Sequence, residues 1–557
     1  MAETRTRRGL AGYWPVPVAV AVLAGLLVAG SRLGGDDGEE AGGAGTSAGG
    51  EPPALAAFPG EDPLDAPDCD RTTGRLALPT VYSPNCVPLW PEGRDNGGAT
   101  SPGVTGDTIT VAIYIPRDDP TVNAIAEDIV GGELPSDEDA DENRRRVVDV
   151  YEALYETYGR SVEVVTVEAS GSNTDDAAAK ADAIRVATEA GAFAAIGGPT
   201  GTNAYADELA ARGVVCFCTA SQPIGNYEDW SPYVWSQLMA STQGYVHRAD
   251  YITGRLAGRK AEFAGDPDLR EETRRFAIVY YETAEGAYQE GVDFFEDRLA
   301  ESGVELAARV PYILDLPRAQ EDAATIVARL KDADVTSVVF AGDPFFPIYL
   351  TQEATAQDYH PEWIVTGSTG TDTTAIARQY DQEQWAHAFG VSFLPARVGS
   401  ANLLTQGGVV SWYLGENLTS YPNALELGLL FTGLHLAGPE LTPETLRDGL
   451  FSFQPANGYA TSLGISFGEA MWPWTDYLAA DDVTEIWWDA DATGADEIGL
   501  AGTGMYRYAN EGKRYLPGEI GKSTATPFDE TDAITVFEET PESDRLPEVP
   551  RRRSRAG

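Results

Sequence analysis

The chain has 557 residues, of which 43% are hydrophobic and 23% are charged. This is the composition of a globular protein, and the length predicts two or three compact units with tails. The 87 Asp and Glu residues against 39 Lys and Arg give a formal net charge of -48, which disfavours nucleic acid as a partner because its phosphates are also negative. The acidic residues are spread along the chain, so they indicate a solvated acidic surface, with a cationic ligand as the alternative.

The first predicted element is an export segment. Arg5, Arg7 and Arg8 precede an apolar run over residues 16–30, and the acidic residues 36–40 follow it. This order of charges predicts a signal peptide or membrane anchor over residues 1–30 and places the rest of the chain outside the cytoplasm. A run of about 15 apolar residues fits a cleaved signal better than a membrane span, but the sequence leaves open whether the protein is anchored or secreted.

Residues 31–105 are rich in Gly, Pro, Ala, Asp and Glu, and this composition predicts a linker. Cys69 and Cys86 lie in it, where an oxidising compartment would let a disulfide close a small loop. Cys216 and Cys218 point the same way from one strand further along, where we expect two buried small apolar residues, and the sequence leaves their state open. No second pair of Cys or His lies at the spacing of zinc ligands, so we predict no metal site.

Between residues 106 and 395, short β-branched segments alternate with amphipathic segments of helical length, which is typical of parallel sheets flanked by helices. The predicted elements are strands over 110–115, 162–167, 192–196, 214–218, 276–280, 304–312, 337–340 and 363–366, and helices over 143–158, 175–190, 202–212, 243–256, 287–300, 320–330 and 347–356. A helical block that includes 425–436 follows, and then short strands.

We therefore predict an α/β protein with two lobes, each a parallel-rich sheet flanked by helices. The predicted parts are lobe I over 106–245, lobe II over 246–395, a return to lobe I over 396–453, a return to lobe II over 454–520, and a disordered tail over 521–557.

Candidate ligand residues of lobe I follow predicted strands, because the crevice of an open parallel sheet lies beyond the carboxyl ends of its strands. A Gly-rich turn opens a helix and offers free backbone N–H groups beside the hydroxyls of Thr200 and Thr202. Thr219, Ala220 and Ser221 follow the next strand and add further hydroxyls. Ordinary capping and turn formation is the alternative for all of them.

In lobe II, Tyr288 follows a predicted strand and offers an aromatic face with a hydroxyl tip. Packing in the core is the alternative for this tyrosine. The segments 340–347 and 367–372 also follow strands, so the same edge of the second sheet is expected to carry polar groups.

Enzyme motifs are incomplete in this chain. Residues 464–468 match the G-x-S-x-G pattern of α/β-hydrolases, but that fold places its catalytic His after the Ser. All four His residues come earlier in the chain: His247, His360, His387 and His435. There is no H-E-x-x-H pair and no phosphate-binding loop. The sequence predicts that the protein is not an enzyme and uses no cofactor.

The segments 103–109, 196–200, 214–223 and 288–291 have the order and spacing found in type I periplasmic binding proteins. Over residues 103–518 the chain resembles this superfamily, specifically the branched-chain amino acid and amide binding proteins of ABC importers in an actinobacterial form. The resemblance implies two Rossmann-like lobes joined by three crossovers, which close around a ligand by hinge motion.

The resemblance also implies roles for individual residues. Thr200 and Thr202 match the turn that meets a ligand carboxylate, and Ala220 and Ser221 match the contacts made by the next strand. Tyr288 matches a tyrosine of the second lobe. These roles are expectations from the resemblance alone.

One position departs from the family pattern. Where amino acid binders place an acidic residue for the ligand ammonium, this chain has Thr369. A standard α-amino acid is disfavoured unless Asp343 or Asp372 supplies the charge, because a buried ammonium without a counter-charge is costly. Amides, urea-like solutes or aromatic acids are then expected.

The sequence therefore predicts an extracytoplasmic solute-binding protein that captures a small polar molecule and delivers it to an ABC transporter permease. A ligand-sensing ectodomain and an extracytoplasmic hydrolase are the alternatives.

Overall fold

The computed structural model describes residues 51–117, 137–199, 201–219, 221–282, 286, 288–399, 408–418, 420–523, 526–546 and 549. The predicted export segment and two predicted ligand residues, Thr200 and Ala220, lie outside these ranges. Within them, no helix combines the length and the apolar character that a membrane span requires.

The segment before the first sheet packs against lobe I instead of forming a free linker. It contains helix α1, Pro53–Ala56, and an antiparallel ladder of β1, Cys69–Asp70, with β2, Arg75–Leu76. Phe58 and Val87 are buried in the core of lobe I. The linker prediction is therefore wrong for residues 51–105, because apolar residues scattered among Gly and Pro give no periodic signal and yet bury their side chains.

All four cysteines form disulfides. Cys69 and Cys86, whose Cα atoms lie 5.5 Å apart, close the loop around β1 and β2. Cys216 and Cys218 are also bonded, with Cα atoms 5.3 Å apart. The sequence left the state of these two cysteines open; side chains two apart on a strand leave the same face, which brings their sulfur atoms together.

Lobe I is built on a four-stranded parallel sheet in the order β4-β3-β5-β6. Its strands are β3, Thr108–Ile115, β4, Ser161–Glu168, β5, Ala194–Ile196, and β6, Val215–Phe217. Its helices are α2, Asp137–Leu154, α3, Asp176–Arg185, α4, Ala204–Ala211, and α5, Ile224–Asp229. Helices cover both faces, so β3 reads as a continuous apolar run in which Ile109, Val111 and Ile113 are buried.

Lobe II has a second sheet, whose parallel part runs in the order β11-β10-β9-β7-β8. Its strands are β7, Phe276–Tyr281, β8, Ala308–Tyr312, β9, Ser337–Ala341, β10, Glu362–Val365, and β11, Ala388–Ser392. Its helices are α6, Ser241–Tyr251, α7, Gln289–Glu301, α8, Ala319–Asp332, α9, Phe346–Ala356, α10, Thr374–Ala377, and α11, Gln382–Trp385.

After lobe II the chain returns to lobe I. The returning helices are α12, Gly408–Leu414, α13, Ala424–Ala437, and α14, Pro443–Phe451. Phe453 and Phe467 pack edge to face in the core of lobe I, whereas Val483 lies in a core of lobe II. Leu463 is buried in a core of lobe II and Trp474 packs against Phe294 of α7, so residues between 454 and 482 contact both lobes and the predicted boundary at 454 stays a prediction.

The chain passes between the lobes three times, and two of these crossings run side by side. Ser236 and Leu478 form a parallel bridge, and the N–H of Ala479 donates to the Ser236 carbonyl at 3.0 Å. Ala240 packs in lobe I and its neighbour Met239 packs in lobe II. This pair of crossings connects the two lobes of the α/β fold.

The last part of the chain extends lobe II. Its strands are β12, Arg397–Val398, β13, Val483–Ala495, β14, Ala501–Tyr508, β15, Arg514–Tyr515, and β16, Val536–Phe537. β13 is antiparallel to β11 and β14, and β16 is parallel to β12. Phe528 packs on Trp487. The prediction of a disordered tail is therefore wrong for residues 521–523 and 526–546, because a few isolated apolar side chains hold this segment in place.

Candidate functional site

The first predicted ligand turn of lobe I follows β5. A side chain at Gly198 would place its Cβ 2.9 Å from the carbonyl oxygen of Cys218, so this close approach requires glycine. Thr202 Oγ1 donates to the carboxylate of Asp176 and accepts the N–H of Ala204 at 3.1 Å. The hydroxyl is therefore engaged within the turn that precedes α4, and a ligand contact of Thr202 stays a prediction.

The second predicted turn follows β6 and carries Thr219 and Ser221. Thr219 Oγ1 lies 3.1 Å from the hydroxyl of Tyr227. Ser221 Oγ donates to the carbonyl of Met239 at 2.6 Å, which ties the turn to the crossing segment before α6. Thr219 thus faces a tyrosine, while Ser221 bonds a segment that connects the two lobes.

The two lobes approach each other at Tyr288, which directly precedes α7. Its N–H donates to Glu282 Oε1 at 3.0 Å. The side chain of Gln222, from lobe I, and that of Tyr227 are both close enough to interact electrostatically with the Tyr288 hydroxyl. Burial raises the pKa of Tyr288, so its hydroxyl is neutral. We call Thr219, Gln222, Tyr227 and Tyr288 the cross-lobe cluster.

Asp343 and Thr369 meet at one turn of lobe II. Asp343 is 2% exposed, and its Oδ1 accepts two backbone N–H groups at the start of α9, at 2.8 and 2.9 Å. Its Oδ2 accepts the hydroxyl of Tyr312, and burial raises the pKa of this carboxyl. Thr369 Oγ1 donates to the carbonyl of Gly342 at 3.1 Å. Both side chains are engaged by lobe II itself, and a ligand role for either stays a prediction.

A row of aromatic rings connects this turn to Tyr288. The ring centre of Tyr281 lies 5.6 Å from that of Tyr288 and 6.0 Å from that of Tyr312. Because Tyr312 also bonds Asp343, the predicted residues Tyr288 and Asp343 lie along the same carboxyl edge of the second sheet.

Asp372 is a buried acid with one unpaired oxygen. It is 1% exposed, its Oδ2 accepts the hydroxyl of Ser392, and its Oδ1 has no hydrogen-bond partner among the described residues. Burial raises the pKa of Asp372 to about 6, Glu497 adds to this rise, and the charge of Arg248 opposes it. Of the three predicted candidates in this part of lobe II, Asp372 alone keeps an unpaired acceptor in the described structure.

Sequence reasoning missed Gln222, Tyr227 and Arg248. Gln222 directly follows the predicted Ser221, so extending the run after β6 by one residue would have included it. Arg248 lies on α6, and only the packing of this helix on the sheet brings its guanidinium to the end of β10, where it bonds Thr366.

The described residues contain no group of three or more His, Cys, Asp or Glu side chains that could hold a metal ion. Ser466, in the G-x-S-x-G pattern, is 1% exposed, and its Oγ has no hydrogen-bond partner within the part of the chain that the structure describes. The carboxylate of Asp481 lies close enough to interact with Ser466, and burial raises the pKa of Asp481 to about 8.

Comparison with known proteins gives one family match. Residues 140–450 match the family model described as Periplasmic binding protein. No curated protein matches the sequence.

Solved structures of similar fold include the binding proteins of several transporters. A solute-binding protein from R. palustris in complex with 4-hydroxybenzoate has 14% identity and a TM-score of 0.47, covering 72% of this chain and 97% of its own. A substrate-binding protein from Sphaerobacter thermophilus has 14% identity and a TM-score of 0.49, covering 75% and 100%. The branched-chain amino acid transporter substrate-binding protein LivJ from Streptococcus pneumoniae, in complex with isoleucine, has 13% identity and a TM-score of 0.44, covering 72% and 100%.

Proposed function

Because this chain belongs to the periplasmic binding protein family, we propose that it captures a small polar solute between its two lobes and delivers it to an ABC importer. The ligand we propose is an amino acid, an amide or a related acid. Proteins of this family act outside the cytoplasm, and the proposal includes residues 1–30 as the segment that exports the chain or anchors it.

The cross-lobe cluster is the observation that carries this proposal. Gln222 belongs to lobe I and Tyr288 to lobe II, yet their side chains are close enough to interact electrostatically. Polar groups that converge from two lobes on one cleft can orient a solute, and they hold it only when the lobes approach. Binding then favours the closed arrangement over the open one by the difference in affinity between the two.

The paired crossings supply the hinge that such closure needs. The backbone bond between Ala479 and Ser236 holds two crossings together, and Ser221 bonds Met239 beside them. A contact on the lobe I turn is therefore joined directly to the segment about which the lobes would rotate.

A thermal-shift screen of the full chain tests the proposal. The probes are isoleucine, 4-hydroxybenzoate, 4-hydroxybenzamide and urea. A solute that binds only the folded chain stabilises it by about 2.7 kcal/mol at 100 times its Kd, which raises Tm. We expect at least one probe to do so.

A matched pair of variants then locates the site. Tyr288→Phe should weaken binding of that probe about 2- to 12-fold, as the loss of one hydrogen bond worth about 0.5–1.5 kcal/mol predicts. Tyr359→Phe is the control, because its hydroxyl donates to the Val335 carbonyl just before β9, at the opposite edge of the sheet. Equal affinities of the two variants, or no rise in Tm with any probe, would contradict the proposal.

A further inference from the structure

Arg248 is a half-buried cation without an anionic partner at the carboxyl edge of lobe II. It lies on the second turn of α6, where Nε and Nη2 donate to the Thr366 carbonyl at 3.2 and 3.0 Å. Thr366 directly follows β10, so the guanidinium lies where the crevice of a parallel sheet is expected. No carboxylate of the described residues is within ion-pair distance of it.

Other described arginines also lack a carboxylate partner, but the buried Arg160 donates to four backbone carbonyls, whereas Arg248 donates only to that of Thr366. Three other poorly exposed arginines each pair with a carboxylate: Arg255 with Glu485, Arg274 with Glu362, and Arg514 with Asp482. The 87 acidic residues against 39 basic ones mean that carboxylates are not scarce. Burial lowers the pKa of Arg248 despite the nearby charge of Asp372. A bound anion would offset this cost of desolvation.

The guanidinium is held in position and keeps free donors. Its central carbon lies 4.9 Å from the centre of the Tyr245 ring, at a distance typical of a cation–π contact. Arginine has five N–H donors, and the bonds to Thr366 leave Nη1 without a partner among the described residues. A side chain at Gly244 would place its Cβ 3.3 Å from Nη2 and 3.6 Å from Nη1, so with glycine at this position no side chain of residue 244 covers the guanidinium.

We propose that Arg248 binds the carboxylate of the ligand and that the ligand is a small monocarboxylic acid. This inference rests on the proposed solute-binding function. Nη1 and Nη2 together form the two-pronged donor that matches the two oxygens of a carboxylate. Asp372 interacts electrostatically with the same guanidinium, so a second negative charge on the ligand would be repelled there. A neutral amide of the same shape loses the charge-assisted bonds.

Isothermal titration of the full chain with a matched pair of probes tests this inference. 4-Hydroxybenzoate and 4-hydroxybenzamide differ only in the group that would meet Arg248, and isoleucine is a second carboxylate. We expect the better of the two acids to bind at least about 10-fold more tightly than the amide, since bonds between charged groups are roughly twice as strong as neutral ones.

Two substitutions of the same residue separate charge from shape. Arg248→Gln should weaken binding of the acid about 10- to 100-fold and leave that of the amide nearly unchanged, and Arg248→Lys should give an intermediate loss. Arg298→Gln is the control, because Arg298 lies on α7, is 35% exposed and pairs with Asp250. The Tm of each variant without ligand shows whether it is folded, and the comparison of acid with amide needs no variant.

The inference is overturned if the amide binds the unaltered chain as tightly as the acids, or if Arg248→Gln has no more effect than Arg298→Gln. If at least one probe binds the unaltered chain, either of these results contradicts this inference without contradicting the proposed function. Binding of none of the acids, the amide or urea would overturn the proposed function itself, and this inference with it.

Discussion

The buried His435 should make the folded chain less stable in acid. Its Nδ1 accepts the backbone N–H of Glu156 at 2.9 Å, so the ring proton lies on Nε2, which donates to the Asn85 carbonyl at 3.0 Å. A proton on Nδ1 would face a donor, and the charged ring would be only 2% exposed. Burial lowers the pKa of His435 from 6.5 to about 4.

The direction and size of the effect follow from this difference in pKa. Between pH 6.5 and about 4, the unfolded chain binds a proton at His435 that the folded chain does not, so stability falls as the pH falls. Each pKa unit corresponds to about 1.4 kcal/mol, so the loss is about 3 kcal/mol at pH 4. Above pH 6.5 the ring is neutral in both states and adds no pH dependence.

His435→Gln removes the titrating ring and keeps one donor and one acceptor. Urea unfolding at pH 7.5 and pH 4, followed by tryptophan fluorescence, gives the free energy of unfolding of each protein. The gap in the free energy of unfolding between the unaltered chain and the variant should be about 3 kcal/mol smaller at pH 4 than at pH 7.5. Phe431→Leu, on the same helix α13, removes no titrating group and should show one gap at both pH values. A constant gap for His435→Gln would refute this reasoning.

Two further changes test the packing of lobe II. Arg274 and Glu362 form a buried two-pronged ion pair with both contacts at 2.8 Å. Glu362→Gln should lower the free energy of unfolding, measured in urea, by about 3–5 kcal/mol because it leaves a buried cation unpaired. Replacing both Arg274 and Glu362 by Met should recover most of this loss. An equal loss in the single and the double variant would contradict the pairing argument. Asp343→Ala should cost about 1–2 kcal/mol through loss of the cap of α9 and leave probe affinity unchanged in isothermal titration. A loss of affinity at unchanged stability would instead make Asp343 a ligand contact.

The alternating elements could be predicted from the sequence because their signals are local. β3 and β7 are continuous β-branched and aromatic runs that are buried on both faces, and the helices between them are amphipathic. β11 gave no clear signal. Its central Gly390 allows a close approach, since a Cβ there would lie 2.1 Å from the Val365 carbonyl oxygen, and glycine weakens the strand pattern.

The misassigned segments share one physical cause. Phe58 and Phe528 bury their rings against distant parts of the chain, but each stands alone in a Gly-, Pro- or acid-rich stretch. Periodicity detects elements that bury a repeated face, and it does not detect single anchors. For this reason the sequence pattern predicts a linker before lobe I and a disordered tail after lobe II.

The candidate site was predicted in part. Residues that follow strands, such as Tyr288, could be named because the edge of a parallel sheet fixes where they lie. The contact between Gln222 and Tyr288, and the position of Arg248, depend on how one lobe or helix packs on another. No local pattern in the sequence carries that information.

Small-angle X-ray scattering of the full chain tests the central claim most directly. The radius of gyration is measured alone and with a saturating amount of whichever of isoleucine, 4-hydroxybenzoate, 4-hydroxybenzamide or urea raises Tm most. Closure of the two lobes around the solute predicts that the radius of gyration falls on binding. A probe that binds and leaves the radius of gyration unchanged would contradict capture by hinged lobes.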